Sequence, residues 1–589
     1  MSFASWLQDA RFSLALLGPV RKGKIPSAPA HPQRDLWTGS AITGEQIIRG
    51  RVLWNGITHT LGHNKWSSPE WSAPFTEWFQ GFSWLRDLRE LGTDSARRSG
   101  RILIASWIGM PLENAPLRDA DITGARLGAW FAHYDFFISS ADEDLKQRFM
   151  QRVLAEARTI AVLLPIKTGD WRPFQAIKGL LATALAIPAH NNLFVCSLNN
   201  LEAELTGSIL PDGMHASRSP EIQFRVLREL AEIRHMLQNA QKSLPGVMTA
   251  AADRMAAVLR SLRHGDGTLA LFNGALFHPP GTIEQTLLRA SPRAQVMARS
   301  MPNGRFLRLG IDTSLLLVDA GNPPPQGFDS LTHAGALSFE FSSGRHQLIV
   351  NCGDSLTPQW HEALRDAPAH STLIPNDADT LLWHADGTLH HKPEVSATHE
   401  SDLNAHVVNL SLSGFHPAST GIWNRRLYLG QNGRDFRGED RLEGSKAQLF
   451  VLRFHLHPNV RIEAEENDIL LHLPEETWRF RSDGLTTIEE SIWFGGVEPR
   501  KTWQIVVHNA FQMNALPEPE QEPEMEQVED IIHAEENSPA ESPDEPAENI
   551  ADAEITEISE LSVMDPPPEA PAPQPPATHI RWAFTRMED

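Results

Sequence analysis

The sequence predicts a multidomain α and β protein in which a helical N-terminal domain precedes an antiparallel β-sandwich and a disordered acidic tail. Three observations predict this order. Apolar residues repeat at a helical period up to about residue 290, and they alternate at a period of two after about residue 300. The chain from 513 to 578 is rich in Pro and Glu and has no basic residue. We therefore expect domains at 1–292 and 293–512, a linker at 513–578 and a terminal docking segment at 579–589.

The helical assignment depends on apolar residues spaced three and four apart. In 221-EIQFRVLRELAEIRHML-237 they form one stripe, and the stretch 144–164 has the same pattern. Ser219 suits the cap of the first of these helices and Pro220 its first turn, where a missing N–H costs nothing. Helices are also predicted at 172–187, 192–209 and 245–263. Consecutive helices with short joints indicate a bundle or a toroid.

The β assignment depends on strict alternation and on two-residue turns. In 337-LSFEFSS-343 large apolar residues alternate with Ser and Glu, and Ser343-Gly344 then turns the chain into 347-QLIVN-351. Asn432-Gly433 and Asp483-Gly484 are further hairpin signals. Short strands with turns about every ten residues are typical of a large antiparallel sandwich.

The negative charge is concentrated in the tail. Nineteen Asp and Glu between Pro517 and His579 account for −19 of the formal charge of −22, which leaves −3 for the remainder of the chain. A nearly neutral folded part excludes strong electrostatic binding to nucleic acid. The tail has too little apolar content to offset its chain entropy, so we expect it to be disordered.

The final residues reverse that composition. The segment 580-IRWAFTRMED-589 is apolar and aromatic, which suggests docking as an added strand on a sheet edge, with a frayed end as the alternative. If it docks, deleting it should lower thermal stability.

Cysteine content and the N-terminus bear on the compartment. Cys196 and Cys352 are more typical of two buried small side chains than of a disulfide framework. No apolar run reaches the length of a transmembrane helix. The stretch 11-RFSLALLGPV-20 is short for a signal peptide and has no clear cleavage site. The cytoplasm is the default prediction, and export to the periplasm is the alternative.

Several strings resemble the heparinase II/III family of polysaccharide lyases, in the same order along the chain. They are 211-PDGMHASRSP-220, 332-THAGALSFEFSSGRHQLIVNCG-353, 369-AHSTL-373, 396-SATHE-400, 423-WNRRLYLGQNGRDFRGEDRL-442, 454-FHLHPNV-460 and 581-RWAF-584. The resemblance implies an incomplete α/α toroid followed by a β-sandwich, with a cleft that takes an acidic polysaccharide. The branch most similar to this chain has no established substrate.

The resemblance also shows what is missing. Eliminative cleavage of a uronate glycan needs a base, an acid and a group that neutralises the carboxylate, and similar proteins use Tyr and His for the proton transfers. On the family strings the tyrosine falls on Ile222, its neighbouring histidine on Gln223, and the first of a histidine pair on Leu331. The chain contains only two tyrosines, Tyr134 and Tyr428.

Polar residues of the opening string remain as candidates. Asp212, His215 and Arg218 precede a predicted helix N-terminus, which favours anions, and Arg can bind a carboxylate with two donors. The functional interpretation is a sugar acid bound here. The alternative is that Asp212-Gly213 forms a turn and Arg218 braces the loop.

The resemblance supplies further candidates. His333, Asn351 and His370 fall where some similar proteins hold a structural zinc, although Asn351 replaces an Asp and is a weaker ligand. A hydrogen-bonded cluster without metal is the alternative, and no cofactor is certain. His399 matches a recurrent family histidine, and Arg425 lies in a strand where substrate contact and local ion pairing explain it equally well.

Two functions follow from the sequence. The first is a lyase that cleaves an acidic, uronate-containing polysaccharide by β-elimination, with catalytic groups drawn from His215, His333, His370 and His399. The second is a catalytically inactive protein of the same fold that binds a glycan or a protein partner. The sequence does not indicate the oligomeric state.

Overall fold

The computed structural model describes most of the chain before residue 510 and a short segment at its end. The described residues are 10–13, 16, 25–31, 33–62, 66–293, 295–375, 380–384, 389–402, 404–415, 419–430, 432–444, 449–465, 468–509 and 579–588. The predicted acidic linker at 513–578 lies outside them. The described residues belong to one compact unit.

Helices dominate the chain up to residue 290. In chain order they are α1 (Ala41–Ile48), α2 (Ala73–Gln80), α3 (Leu85–Leu91), α4 (Asp94–Ile108), α5 (Ala120–Ala132), α6 (Tyr134–Phe137), α7 (Glu143–Leu163), α8 (Arg172–Ala186), α9 (Asn191–Ser208), α10 (Pro220–Asn239), α11 (Gly246–Ser261) and α12 (Pro280–Ala290), and α13 (Pro358–Arg365) follows within the β region. The five helices predicted from periodicity are confirmed, and each begins and ends within two residues of its predicted bounds.

Strands dominate the chain from residue 306. They are β3 (Phe306–Ile311), β4 (Ser314–Asp319), β5 (Phe339–Ser343), β6 (His346–Val350), β7 (Leu373–Pro375), β8 (Leu382–Trp383), β9 (Leu389–His391), β10 (Glu394–Ser401), β11 (His406–Phe415), β12 (Ser419–Gly430), β13 (Asp435–Glu443), β14 (Phe450–Leu456), β15 (Arg461–Ala464), β16 (Ile469–His472), β17 (Thr477–Ser482), β18 (Leu485–Trp493), β19 (Arg500–His508) and β20 (His579–Arg586). The predicted order of helices followed by antiparallel strands is confirmed.

One hairpin interrupts the helical region, contrary to the prediction of helices alone. Strand β1 (Arg51–Trp54) pairs with β2 (Ile57–Thr60) across Asn55 and Gly56. Both turn residues have positive φ, 48° and 77°, which is the geometry of a tight two-residue hairpin turn.

Two large antiparallel sheets form the sandwich. One has the strand order β10-β11-β12-β13-β20-β17-β16-β15, and the other has β18-β19-β14-β6-β5-β4-β3 with β7 beside β14. Their facing sides bury an aromatic core that includes Phe339, Phe436 and Phe454. The hairpin turns predicted at Ser343-Gly344 and Asn432-Gly433 join β5 to β6 and β12 to β13.

The hairpin predicted at Asp483-Gly484 is wrong. The turn leads from β17 in one sheet to β18 in the other, and β17 pairs with β20 instead. The physical reason lies in Asp483, whose carboxylate accepts a hydrogen bond from the Arg581 N–H at 2.7 Å. The terminal strand thus occupies the position that a hairpin partner would take.

Strand β20 lies inside its sheet and not at an edge. It pairs with β13 on one side and with β17 on the other, both antiparallel. Trp582 is 2% exposed and lies opposite Gly438, where a Cβ would come within 2.1 Å of the indole ring. The predicted docking of this segment as an added strand is therefore confirmed. The predicted position at a sheet edge is wrong, because β20 lies between two other strands. Gly438 has no side chain, which leaves room there for the ring of Trp582.

Buried polar contacts join the helical part to the sandwich. His264 lies 2.8 Å from the carboxylate of Glu340, and the guanidinium of Arg308 donates to the carbonyl of Arg263 at 2.7 Å. Cys196 and Cys352 are both free thiols, as the prediction of small packed side chains expects. Cys352 is buried, and Cys196 is partly buried. None of the helices in the described part of the chain combines the length and the apolar content that crossing a lipid bilayer requires.

Candidate functional site

A polar cavity of about 280 Å³ opens among the helices. Side chains from α3, α5, α8 and α10 surround it, together with the segment before α1 and His278 before α12. Its charged and aromatic lining residues are Arg34, Asp35, Arg86, Trp171, Lys178, Phe224, Arg225, Arg228, Glu229, Glu232, His235 and His278. Five of these side chains are permanently cationic and three are carboxylates, so the lining carries an excess of positive charge.

Helix α10 contributes the largest share of this lining. Ser219 caps it as predicted, since its hydroxyl accepts from the Ile222 N–H, and Pro220 begins the first turn. The apolar stripe recognised in the sequence packs into the core. A second stripe with the same three-and-four spacing faces the cavity, and it consists of Arg225, Arg228, Glu232 and His235.

Two carboxylates hold one lysine in the cavity wall. Lys178 on α8 lies 2.7 Å from carboxylate oxygens of both Glu229 and Glu232. Burial alone would lower the pKa of Lys178, but the two carboxylates outweigh it and raise that pKa. The Trp37 indole also donates to Glu232 at 2.6 Å. One ammonium between two carboxylates leaves no positive charge for a ligand, so these groups shape the cavity wall.

Asp35 is neutralised in the same way. Its carboxylate lies 3.0 Å from both Arg86 and His133. Burial alone would raise the pKa of Asp35, but the hydrogen bond from His133 and the charge of Arg86 hold that pKa below its usual range.

Arg228 differs from the other cations of the cavity. Its guanidinium lies over the rings of Trp37 and Phe224, at 4.2 and 5.9 Å from the ring centres. Among the residues that the structure describes, it has no hydrogen bond and no ion pair. The aromatic rings hold the guanidinium in place, and its planar donor edge stays available to an anion.

His278, which lines the cavity, forms a dyad with the buried Glu221. His278 Nε2 lies 2.7 Å from Glu221 Oε2, and its ring centre lies 4.1 Å from that of Phe224. Burial alone would raise the pKa of Glu221, but His278 and Arg225 outweigh it and lower that pKa to about 2. An ionised carboxylate can only accept, so Nε2 of His278 is the donor of this pair, and Nδ1 has no hydrogen-bond partner among the described residues.

Ile222 and Gln223, where the resemblance implies a tyrosine and a histidine, are packing residues. Ile222 is fully buried, and the amide of Gln223 accepts from the His215 N–H at 2.7 Å and donates to Gly213 and Met255 carbonyls. Neither Tyr134 nor Tyr428 is among the described residues that line the cavity.

The opening string braces a loop and is not open to a ligand. His215 is fully buried, hydrogen-bonds Ser217 at 2.8 Å, and has its pKa lowered to about 3 by burial. Arg218 is buried against the Asp319 carboxylate and donates to the Gly304 and Asn322 carbonyls. Asp212 accepts from the N–H groups of Gly304, Asn303 and Met214. The contacts of Asp212 and Arg218 favour the loop-bracing alternative, and the Nε2 atom of His215 is buried without a hydrogen-bond partner among the described residues.

The candidates on the sandwich are separate from the cavity. His399 lies near the end of β10 and contacts His406, with 3.1 Å between ring nitrogens. Arg425 on β12 is buried and pairs with Asp440 at 2.7 Å, and it also donates to the Leu337 carbonyl. Its charge is therefore used within the protein, which favours the ion-pairing alternative.

The candidate metal set is brought together only in part. The rings of His333 and His370 lie 5.3 Å apart, and both are buried. The Asn351 amide is occupied, since it donates to Glu340 at 3.2 Å and accepts from the Ser371 N–H at 3.0 Å. Among the described residues, no hydrogen bond or ring contact joins His215, His333 and His399 to one another.

Arg228 and His278 were not predicted from the sequence. Polar residues spaced three and four apart on α10 are a signal that could have indicated Arg228. His278 is 57 positions from Glu221. No local pattern connects them.

Comparison with known proteins agrees with this architecture. Residues 294–524 match the family model described as Heparinase II/III-like, C-terminal. FtsZ-localized protein C of Caulobacter vibrioides is 26% identical over 518 residues, which cover 79% of this chain and 84% of that protein.

Solved structures share the whole fold. The crystal structure of heparinase III matches with a TM-score of 0.66 at 13% identity, over 85% of this chain and 87% of that one. The Streptomyces coelicolor chondroitin AC lyase in complex with chondroitin sulphate matches with a TM-score of 0.50 at 9% identity, over 85% and 80%. At such identities the likeness establishes the fold: helices followed by a β-sandwich.

Proposed function

We propose that the helical cavity binds the carboxylate groups of an acidic, uronate-containing polysaccharide, because residues 294–524 match the Heparinase II/III-like, C-terminal family model. The observation that carries the proposal is Arg228, a guanidinium in the cavity wall without an ion pair among the described residues. Similarity to a chondroitin lyase in complex with chondroitin sulphate supports the ligand class.

The cavity has the size and chemistry for one charged sugar unit. Its volume of about 280 Å³ lies near the lower end of the roughly 300–1,000 Å³ typical of small-molecule sites. Guanidinium donors match a carboxylate in a two-point contact, and aromatic side chains such as Trp171 suit the faces of sugar rings. Charge recognition and ring contact are then available in one place.

The test is calorimetric binding of uronate-containing oligosaccharides to the full chain. A charge-assisted hydrogen bond contributes about 1.5–3 kcal/mol, so Arg228→Ala should weaken binding by at least about tenfold. Arg234→Ala is the matched control, because Arg234 lies on the same helix outside the cavity and contacts the Ala290 carbonyl. Equal affinity for the wild type and Arg228→Ala would place the glycan elsewhere.

Turnover by β-elimination is a second candidate, and the His278–Glu221 dyad favours it. Nδ1 of His278 would take the proton beside the sugar carboxylate and pass it to the glycosidic oxygen as the C4–O bond breaks. Arg228 would neutralise the carboxylate as negative charge develops. Phe224 lies beside both side chains, with its ring centre 4.1 Å from that of His278 and 5.9 Å from the Arg228 guanidinium.

An ultraviolet assay for the unsaturated uronate product tests turnover. Product formation that disappears in His278→Ala and persists in His235→Ala supports elimination through the dyad. Binding without any product supports a protein that recognises the glycan and leaves it intact.

Partner binding by a catalytically inactive member is the remaining candidate. It is favoured by the 26% identity to a protein named for its localisation with FtsZ. Co-sedimentation of the full chain with FtsZ polymers measures it directly. Pelleting above the level of a polymer-free control supports this candidate, and recovery in the supernatant argues against it.

A further inference from the structure

Three side chains converge at a second place, in the sandwich near its junction with the helical part. They are His333, Asp354 and His361, and one ligand atom from each lies within 4.8 Å of the other two. His361 Nδ1 is 2.8 Å from Asp354 Oδ1, and His333 Nε2 is 3.6 Å from Asp354 Oδ2. A tetrahedral zinc ion lies about 2.0–2.2 Å from each ligand atom, which places the ligand atoms roughly 3.3 Å from one another. One of the two observed separations is shorter than this value and the other is longer.

A nitrogen atom without a partner points into this cluster. His333 Nε2 is buried and has no hydrogen-bond partner in the described part of the chain. Its distance of 3.6 Å from Asp354 is longer than a hydrogen bond. A buried imidazole nitrogen left unsatisfied costs free energy, and a metal ion between His333 and Asp354 removes that cost.

The metal set that the family resemblance implies does not fit. Asn351 would be its oxygen ligand, but Ser371 and Glu340 occupy that amide. Asp354 lies three residues further along the same segment and points at His333 instead. An ionised carboxylate is a better metal ligand than an amide, so the change of residue improves the donor set.

We propose that His333, Asp354 and His361 bind a divalent transition-metal ion of the zinc class. Two imidazoles and one carboxylate suit this class and leave a fourth position open. His361 has 31% of its side chain exposed, so water can reach that position.

The ligands come from segments that the ion would hold together. Asp354 follows β6, and His361 lies on α13 seven residues later, so little chain must be ordered to join them. His333 comes from the loop before β5, whose N–H at His333 lies 3.4 Å from the Asn273 side chain in the helical part. The ion would therefore stabilise the loop, the helix and their contact with the helical part.

The experiment is elemental analysis of the full chain after incubation with zinc and removal of the excess. Wild type should hold about one equivalent, and His361→Ala and Asp354→Asn should each hold less than a tenth. His472→Ala is the matched control, because His472 also lies beside a carboxylate, 3.1 Å from Glu463, in another part of the sandwich. Circular dichroism of each variant confirms folding, and His361 is exposed enough that its removal should leave the fold intact.

A second readout is the visible spectrum with cobalt in place of zinc. A tetrahedral site with two nitrogen ligands gives an intense absorption in wild type that His361→Ala lacks. Less than a tenth of an equivalent in wild type, or a full equivalent retained in folded His361→Ala, would overturn the proposal.

Discussion

Trp582→Ala tests whether the terminal strand is part of the sandwich core. Trp582 lies on β20 and is 2% exposed. Its ring stacks on Phe339 at 5.6 Å and meets Phe436 and Phe454 edge-on at 5.2 and 5.0 Å. Its indole N–H donates to the Asp440 carboxylate at 2.9 Å.

The magnitude follows from these contacts. Replacing a buried Trp by Ala costs about 3–5 kcal/mol, and a hydrogen bond to a charged acceptor contributes about 1.5–3 kcal/mol. The two contributions overlap, and Asp440 keeps its contacts with Trp423 and Arg425. We expect the free energy of unfolding of the sandwich to fall by about 5 kcal/mol, a large fraction of the roughly 5–15 kcal/mol of a folded domain.

The assay is urea unfolding followed by near-ultraviolet circular dichroism, which reports the packing of the aromatic core. Arg581→Ala is the control on the neighbouring residue, because that side chain is 64% exposed and pairs with Glu439 only at the surface. It should change the unfolding free energy by about 0–1 kcal/mol. A loss below about 1 kcal/mol in Trp582→Ala would refute the internal position of β20.

Two further predictions concern buried charges. Arg425→Ala should lower the free energy of unfolding by about 3–5 kcal/mol in urea titrations, because Asp440 loses its buried partner, whereas exposed Arg426→Ala should have little effect. A small effect of Arg425→Ala would contradict the pairing. Burial lowers the pKa of His215 to about 3 in the folded state, against 6.5 when unfolded. The contribution of buried, neutral His215 to the unfolding free energy is complete above pH 6.5. It is lost as the pH falls towards 3, because the unfolded chain protonates His215 at a higher pH than the folded protein does. Between pH 6 and 4 the unfolding free energy of the wild type should therefore fall more steeply than that of His215→Gln. The difference between the two slopes should be about 1.4 kcal/mol per pH unit, and identical slopes would contradict the burial.

Local patterns were sufficient to predict much of the fold. The cap at Ser219, the first-turn Pro220 and the alternation around Phe339 each express a preference of neighbouring residues. The position of β20 could not be predicted in the same way. Gly438 accommodates Trp582 from a strand more than a hundred residues away, and neither local sequence reveals the other.

The site was harder to predict for the same physical reason. Arg218 and Arg425 have the chemistry of ligand-binding groups, but Asp319 and Asp440, distant in sequence, neutralise them. Arg228 has the same chemistry, but it packs on two aromatic rings and forms no ion pair within the part of the chain that the structure describes. Whether a charge is available therefore depends on its tertiary partners.

A crystal structure of the protein with a uronate-containing disaccharide tests the central claim most directly. The sugar carboxylate should lie about 3 Å from the Arg228 guanidinium, with the ring beside His278 and Trp171. Ordered sugar on the sandwich near His399 or Arg426, with an empty helical cavity at saturating ligand, would contradict it.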